Sequence, residues 1–95
     1  MSASRIFNVN WDFRLSNDAA RSLRRMGMRD RERINRALND MKQGPLVSDV
    51  VPLRGGYEGS YRRRVGPWRI IFSLDLEHRV IDVYDIRRRS STTYR

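Results

Sequence analysis

The stretch Tyr61 to Leu74, reading YRRRVGPWRIIFSL, constrains this chain more than any other. Gly-Pro is a turn signal, and the β-branched and aromatic residues around Gly66-Pro67 suit strands. The stretch reads as a β-hairpin with an arginine-studded first strand and an apolar second strand. Side chains alternate across a strand, so Arg62 and Arg64 share one face while Tyr61, Arg63 and Val65 share the other. Beyond the turn, Arg69 sits beside Ile70-Ile71-Phe72, a run dense enough for a central strand buried on at least one side. Four guanidinium groups are thus anchored on or next to a rigid sheet. A polyanion could be gripped there with fixed geometry.

The rest of the chain shares this bias. All but one of the 20 basic residues is arginine, Lys42 being the exception, and 11 acidic residues leave a net charge of +9. Arginine presents a planar fork matched to phosphate and stacks on bases, so nucleic acid is the first partner to consider. Compositional bias and solvated helix faces are the competing explanation for the helix arginines. At 95 residues the chain is expected to form one domain, 1–95, burying roughly 60–70% of its unfolded surface. The apolar runs are too short to span a membrane, and the N-terminus lacks the apolar stretch of a secretory signal. Without cysteine, and with His78 alone, no disulfide or zinc site can be built. No metal or other cofactor is expected, and the expected location is cytoplasmic.

Phe7, Val9, Trp11 and Phe13 alternate with polar residues, which predicts a half-buried strand. Ser16, Asn17 and Asp18 are cap-type residues ahead of Ala19, Ala20, Leu23 and Met26 at helical spacing. Gly27 is the expected C-cap of that helix. Asp30 is placed to cap a second helix, in which Ile34, Ala37, Leu38 and Met41 form one stripe that ends at Gly44-Pro45. Two short sequential helices predict an antiparallel pair, and stripes this narrow need a sheet against them. Val50, Val51 and Leu53 suggest a short strand, with Pro52 fitting an edge or a bulge, before an Arg54-Gly55-Gly56 turn. After the hairpin comes a last strand, Val80 to Ile86, with Ile81, Val83 and Asp85 on one side and Val80, Asp82 and Tyr84 on the other. The expected fold is α+β: an N-terminal strand, a two-helix hairpin, then three to four antiparallel strands in a curved sheet covered on one face by the helices.

So placed, these residues resemble the RelE/ParE superfamily of toxins from type II toxin–antitoxin modules, closer to the RelE-type mRNA interferases. The resemblance covers nearly the whole chain and is most specific in Tyr61-Arg62-Arg63-Arg64-Val65-Gly66-Pro67-Trp68-Arg69-Ile70-Ile71-Phe72. The closing Val83-Tyr84-Asp85-Ile86, with Arg87 to Arg89 and Tyr94, resembles the family's terminal strand, basic pair and late tyrosine. The resemblance implies a ribosome-dependent endoribonuclease that cuts mRNA and inhibits translation. Its implied partners are the ribosome, mRNA and a cognate acidic antitoxin, in a toxin–antitoxin hetero-oligomer away from membranes. The alternatives are a ParE-like DNA gyrase inhibitor or a non-catalytic member that binds its antitoxin or RNA.

RNA cleavage needs a guided 2′-OH, a stabilised phosphorane and a protonated leaving oxygen. Guanidinium clamps suit the second task. By resemblance the catalytic candidates are Arg62, Arg64, Arg69, Arg89 and Tyr94, with Arg69 stabilising the transition state and Tyr94 stacking on a base or moving a proton. Arg54, Arg63, Trp68, Arg87 and Arg88 are the RNA-binding candidates. Arg69 could instead pair with Asp82 or Asp85, and Trp68 could pack the hairpin. Arginine stays protonated and makes a poor general base. The candidates for that role are Tyr94, Glu58, His78 or a group of ribosomal RNA.

Overall fold

The computed structural model describes residues 10–46, 49–56 and 58–88. Among them the chain runs β1 (Asp12–Leu15), α1 (Asn17–Arg25), α2 (Met28–Met41), β2 (Val50–Pro52), β3 (Ser60–Val65), β4 (Trp68–Asp75) and β5 (Val80–Arg88). Phe7 and Val9 of the expected first strand lie outside the described residues.

The strands make one five-stranded sheet in the order β1-β5-β4-β3-β2. That is slightly more than the three to four strands expected after the helices, because β1 joins the same sheet. It joins in parallel, with Phe13 opposite Ile81 and Leu15 opposite Val83, so the sheet is not antiparallel throughout. The connection between the two, which holds both helices and then β2 to β4, provides the long crossover that a parallel pairing requires. Pro52 lies in β2 at the far edge of the sheet, where its missing N–H costs no ladder bond.

Ser16 caps α1, its Oγ accepting from Ala19 N–H at 3.0 Å and donating to the Tyr84 carbonyl. One hydroxyl thus starts the helix and ties it to β5. Two expected caps are corrected. Gly27 has φ −66 and ψ 164 and is the N-cap of α2, while α1 ends at Met26. Asp30 lies inside the first turn of α2, where its charge complements the helix dipole. Met26 and Gly27 are both extended, so no left-handed residue ends α1. Arg31 fills that role from the next helix, donating to the Arg24 and Met26 carbonyls at 3.2 and 3.3 Å. It satisfies orphan carbonyls at a helix end that favours positive charge.

Both helices cover one face of the sheet. Ala19, Met26, Ile34, Ala37, Leu38 and Met41 meet Ile70, Phe72, Ile81, Val83 and Ile86 in a single buried cluster. Phe72 is fully buried and stacks on Tyr61 with ring centres 5.6 Å apart. Arg63 reaches the same side and donates to the Ala37 carbonyl of α2 at 3.1 Å. Tyr61 and Val65 pack against this core, so β3 alternates as its sequence predicts.

Strand β5 does not keep strict alternation. Ile71 faces Asp85 while the next residue, Phe72, faces Val83, leaving Tyr84 as the extra residue of a β-bulge. Val83 and Ile86 are both buried although three apart. Asp85, expected on the side of Ile81 and Val83, instead pairs with Arg87, Oδ2 to Nε at 2.8 Å. The bulge resets which side chains reach the open face.

Candidate functional site

The sheet face away from the helices carries a row of arginines across three strands. Arg64 of β3 lies opposite Arg69 of β4, and Arg69 lies opposite Arg87 of β5. Directly opposed residues share a face with Cβ atoms roughly 5 Å apart, and like charges so placed are destabilising. Asp85 offsets part of this repulsion through Arg87. Arg62, two residues from Arg64, extends the patch opposite Ile71.

Arg54, Arg62, Arg69 and Arg87 surround a cleft of about 280 Å³ with Leu53 and Ile71 as its apolar part. Arg54 enters from the turn after β2, where Gly55 and Gly56 take φ values of 72° and 93°. The Nε atoms of Arg62 and Arg69 are buried and lack a hydrogen-bond partner, as does that of Arg63 on the helix side. Buried polar atoms are rarely left so, and a donor without an acceptor on a cationic face is a place for an anion. Arg69 makes neither of the carboxylate pairs available to it. Asp82 is held by Arg14 at 2.7 Å, and Asp85 by Arg87.

The hairpin turn holds this row in place. Gly66 has φ 57, the positive value that a two-residue hairpin turn asks of its first central residue. The Arg33 guanidinium of α2 occupies the space a Cβ on Gly66 would fill.

Not every expected site residue joins the row. Arg63 is committed to α2. Trp68 faces the helix side, packed against the core cluster, with the Arg88 guanidinium carbon 5.6 Å from its ring centre. Arg89 and Tyr94 lie outside the described residues. His78 sits at the opposite end of the sheet, its Nδ1 2.9 Å from Asp75. There the His78 ring, aided by its backbone N–H, holds the Asp75 carboxyl below the usual range. Glu58 is exposed in the turn leading into β3, at the end of that strand away from Arg64. Among the described residues, then, the carboxylates beside the arginine row are Asp85 and Asp49, which borders a hollow with Arg62 and Arg64, and no imidazole is near it. The open face does carry one aromatic residue that its sequence does not single out. Tyr84, brought out at the bulge, is 49% exposed with its hydroxyl 2.7 Å from Ser73 Oγ. Alternation places it on this face, but only the bulge sets its position.

Among the described residues no cluster of metal-ligating side chains occurs, and no helix is long and apolar enough to cross a membrane.

Comparison with known proteins gives one consistent relationship. Residues 13–92 match the family described as the ParE toxin of the type II toxin–antitoxin system parDE. The chain is 32% identical over 78 residues to Toxin RelE of Mycobacterium tuberculosis, covering 78% of this chain and 76% of that protein. Among solved structures it is similar to a RelBE toxin–antitoxin complex from the same organism. There the TM-score is 0.77 at 24% identity, over 85% of this chain and 100% of that one. The isolated RelE toxin of E. coli has a TM-score of 0.74 at 18% identity, over 87% and 88% of the two chains. The structural likenesses speak to the fold and the sequence matches to descent: the chain belongs to the ParE toxin family of type II toxin–antitoxin systems, within the RelE/ParE superfamily.

Proposed function

We propose that this toxin is a ribosome-dependent endoribonuclease that cleaves mRNA, with the arginine row as its phosphate clamp. The observation that carries the reading is the alignment of Arg64, Arg69 and Arg87 across three strands, with Arg69 Nε buried and unpartnered. In the cleavage step the 2′-oxygen bonds to phosphorus and the 5′-oxygen leaves. Negative charge grows on the equatorial phosphate oxygens, and guanidinium donors already fixed on a sheet stabilise it without reorganising. Arg69, central in the row, makes that contact, and Arg62 and Arg64 hold the flanking phosphates. Arg54, Arg87 and Arg88 bind the strand on either side. Arg89 and Tyr94 keep the roles that the resemblance gives them, the tyrosine stacking or transferring a proton. Since arginine is not a base, proton removal falls to Tyr94 or to a group of ribosomal RNA.

An acidic antitoxin is the regulatory partner in this proposal. Solved relatives include RelBE complexes, and an acidic segment would offset part of the +9 charge while covering the row. The test is primer extension on mRNA from translating ribosomes. Wild type should produce new mRNA ends and Arg69→Ala should not. Ends that persist unchanged in the variant would refute the assignment.

A second reading follows from the family match itself, which is to ParE toxins: inhibition of DNA gyrase by binding. Inhibited supercoiling without new mRNA ends would favour it.

A further inference from the structure

On the helix side of the sheet, next to the arginine row, lies a groove of about 490 Å³. It exists because β1 is short. β1 pairs β5 only from Val80 to Val83, so beyond Val83 no strand among the described residues covers that edge of β5. Ser22, Arg25 and Met26 of α1 form one wall, and Trp68, Ile86 and Arg88 of β4 and β5 form the other. Its volume falls within the roughly 300–1,000 Å³ of small-ligand sites.

The chemistry of the lining is specific. Met26 and Ile86 are buried apolar residues at its base. Trp68 presents an aromatic ring with the Arg88 guanidinium against it, and its Nε1 is a buried donor without an acceptor. Arg25 stands exposed at the lip. A guanidinium lying over an aromatic ring offers its own outer plane as a stacking platform for a nucleobase, and flanking cations suit the attached phosphate. Asp85 also borders the groove, but its oxygens are engaged by Arg87 and by the Ile86 N–H. Arg87 lines both this groove and the arginine cleft. The two sites therefore adjoin around the end of β5.

We infer that this groove is a nucleotide subsite: it holds one base of a single-stranded RNA whose phosphates run from the arginine row around the end of β5. The inference rests on the RNA reading above and adds a place, a stacking partner and a minimum strand length. The base stacks on the outer plane of the Arg88 guanidinium that covers Trp68, Arg25 holds its phosphate, and the Ser22 hydroxyl is available to its polar edge.

The test separates the groove from the row. With Trp11→Phe leaving Trp68 as the reporter, emission and anisotropy are followed with non-cleavable 2′-O-methyl RNA of about three and about eight nucleotides, lengths below and within the span of ordinary single-strand sites. The longer strand should quench Trp68 and bind about tenfold tighter than the shorter, the effect of one stacked base. Ser22→Leu fills the groove without removing charge, and Arg25→Gln removes the lip cation while keeping a polar side chain. Each should erase most of the length advantage while leaving the short strand's affinity within about twofold, since neither residue touches the row. Circular dichroism melts check that both variants fold. Tight binding of the long strand without quenching, or a length advantage intact in both variants, would overturn the subsite alone. Failure of both strands to bind would overturn the arginine-row reading with it. Quenching by poly-glutamate but not by RNA would assign the groove to an acidic polypeptide and end the proposal.

Discussion

At the end of the open sheet face near the β4–β5 turn, the carboxylates are engaged: Arg14 pairs with Asp82, and the ring and N–H of His78 hydrogen-bond Asp75. At the Gly66-Pro67 end of the same face, Arg62, Arg64 and Arg69 have no carboxylate within ion-pair distance among the described residues. The contrast is not forced by composition, since the chain has 11 acidic residues. Asp49 even borders a hollow of about 180 Å³ with Arg62 and Arg64, yet forms no ion pair with either. One end of the face has its carboxylates partnered within the fold and the other leaves its donors turned outward. Charges paired within the fold are ordinary surface chemistry, worth little to stability. Opposed cations left unpaired cost stability, and their retention on a rigid sheet points to an anionic partner.

The contrast is broken most directly at Arg69. Arg69→Ala should lower mRNA cleavage about 10²–10³-fold, the usual effect of losing one transition-state donor, while the urea midpoint stays near wild type. Cleavage rates by primer extension beside an equilibrium melt would test it; a large stability loss would mean that the residue is structural. The turn that supports the row comes next. Gly66→Ala should destabilise by about 1–3 kcal/mol, because alanine is strained at positive φ and its Cβ would displace Arg33. Adding Arg33→Ala should relieve the clash but leave the φ strain, so denaturant midpoints of the single and double variants separate the two causes.

Arg64→Gln should weaken binding of all single-stranded RNAs alike and reduce the slope of log affinity against log salt by about 0.7, one phosphate contact fewer. The same measurement on Arg14→Gln, at the matched end, should leave the slope unchanged. The smallest expected effect lies at Asp75, whose carboxyl is held low chiefly by the His78 side chain. A depressed folded-state pKa gives stability that is present above the unfolded value and is lost as pH falls through the folded value. His78→Ala should therefore raise the Asp75 titration midpoint toward the ordinary carboxylate range, followed by NMR, with little change at neutral pH.

The hairpin and its alternation were legible in the sequence because both are local. Gly66-Pro67 announces the turn, and the period of two assigns Arg62 and Arg64 to one face and Arg63 to the other. The core stripe of α2 was equally visible in Ile34, Ala37, Leu38 and Met41. The helix boundary between α1 and α2 was misread at Gly27 and Asp30, because Arg31 supplies from outside the helix what a C-cap glycine would supply within it. Arg87 could be recognised as basic and near the terminal strand, but its place in line with Arg69 depends on the β4–β5 register. No local pattern contains that register.

By itself, then, the sequence determined which segments are helix or strand and which side chains of β3 share a face. Those properties follow from backbone periodicity within a few residues. Tertiary structure decided the parallel seating of β1 on β5, the bulge that turns Asp85 outward, and the joining of three arginines from three strands into one row. It also decided that Asp82 and Asp85 would be engaged by Arg14 and Arg87, leaving Arg69 without a carboxylate partner among the described residues. Each of these outcomes depends on pairing between residues distant in the chain. Such pairing is settled by how the buried faces pack together, and local preference does not encode it.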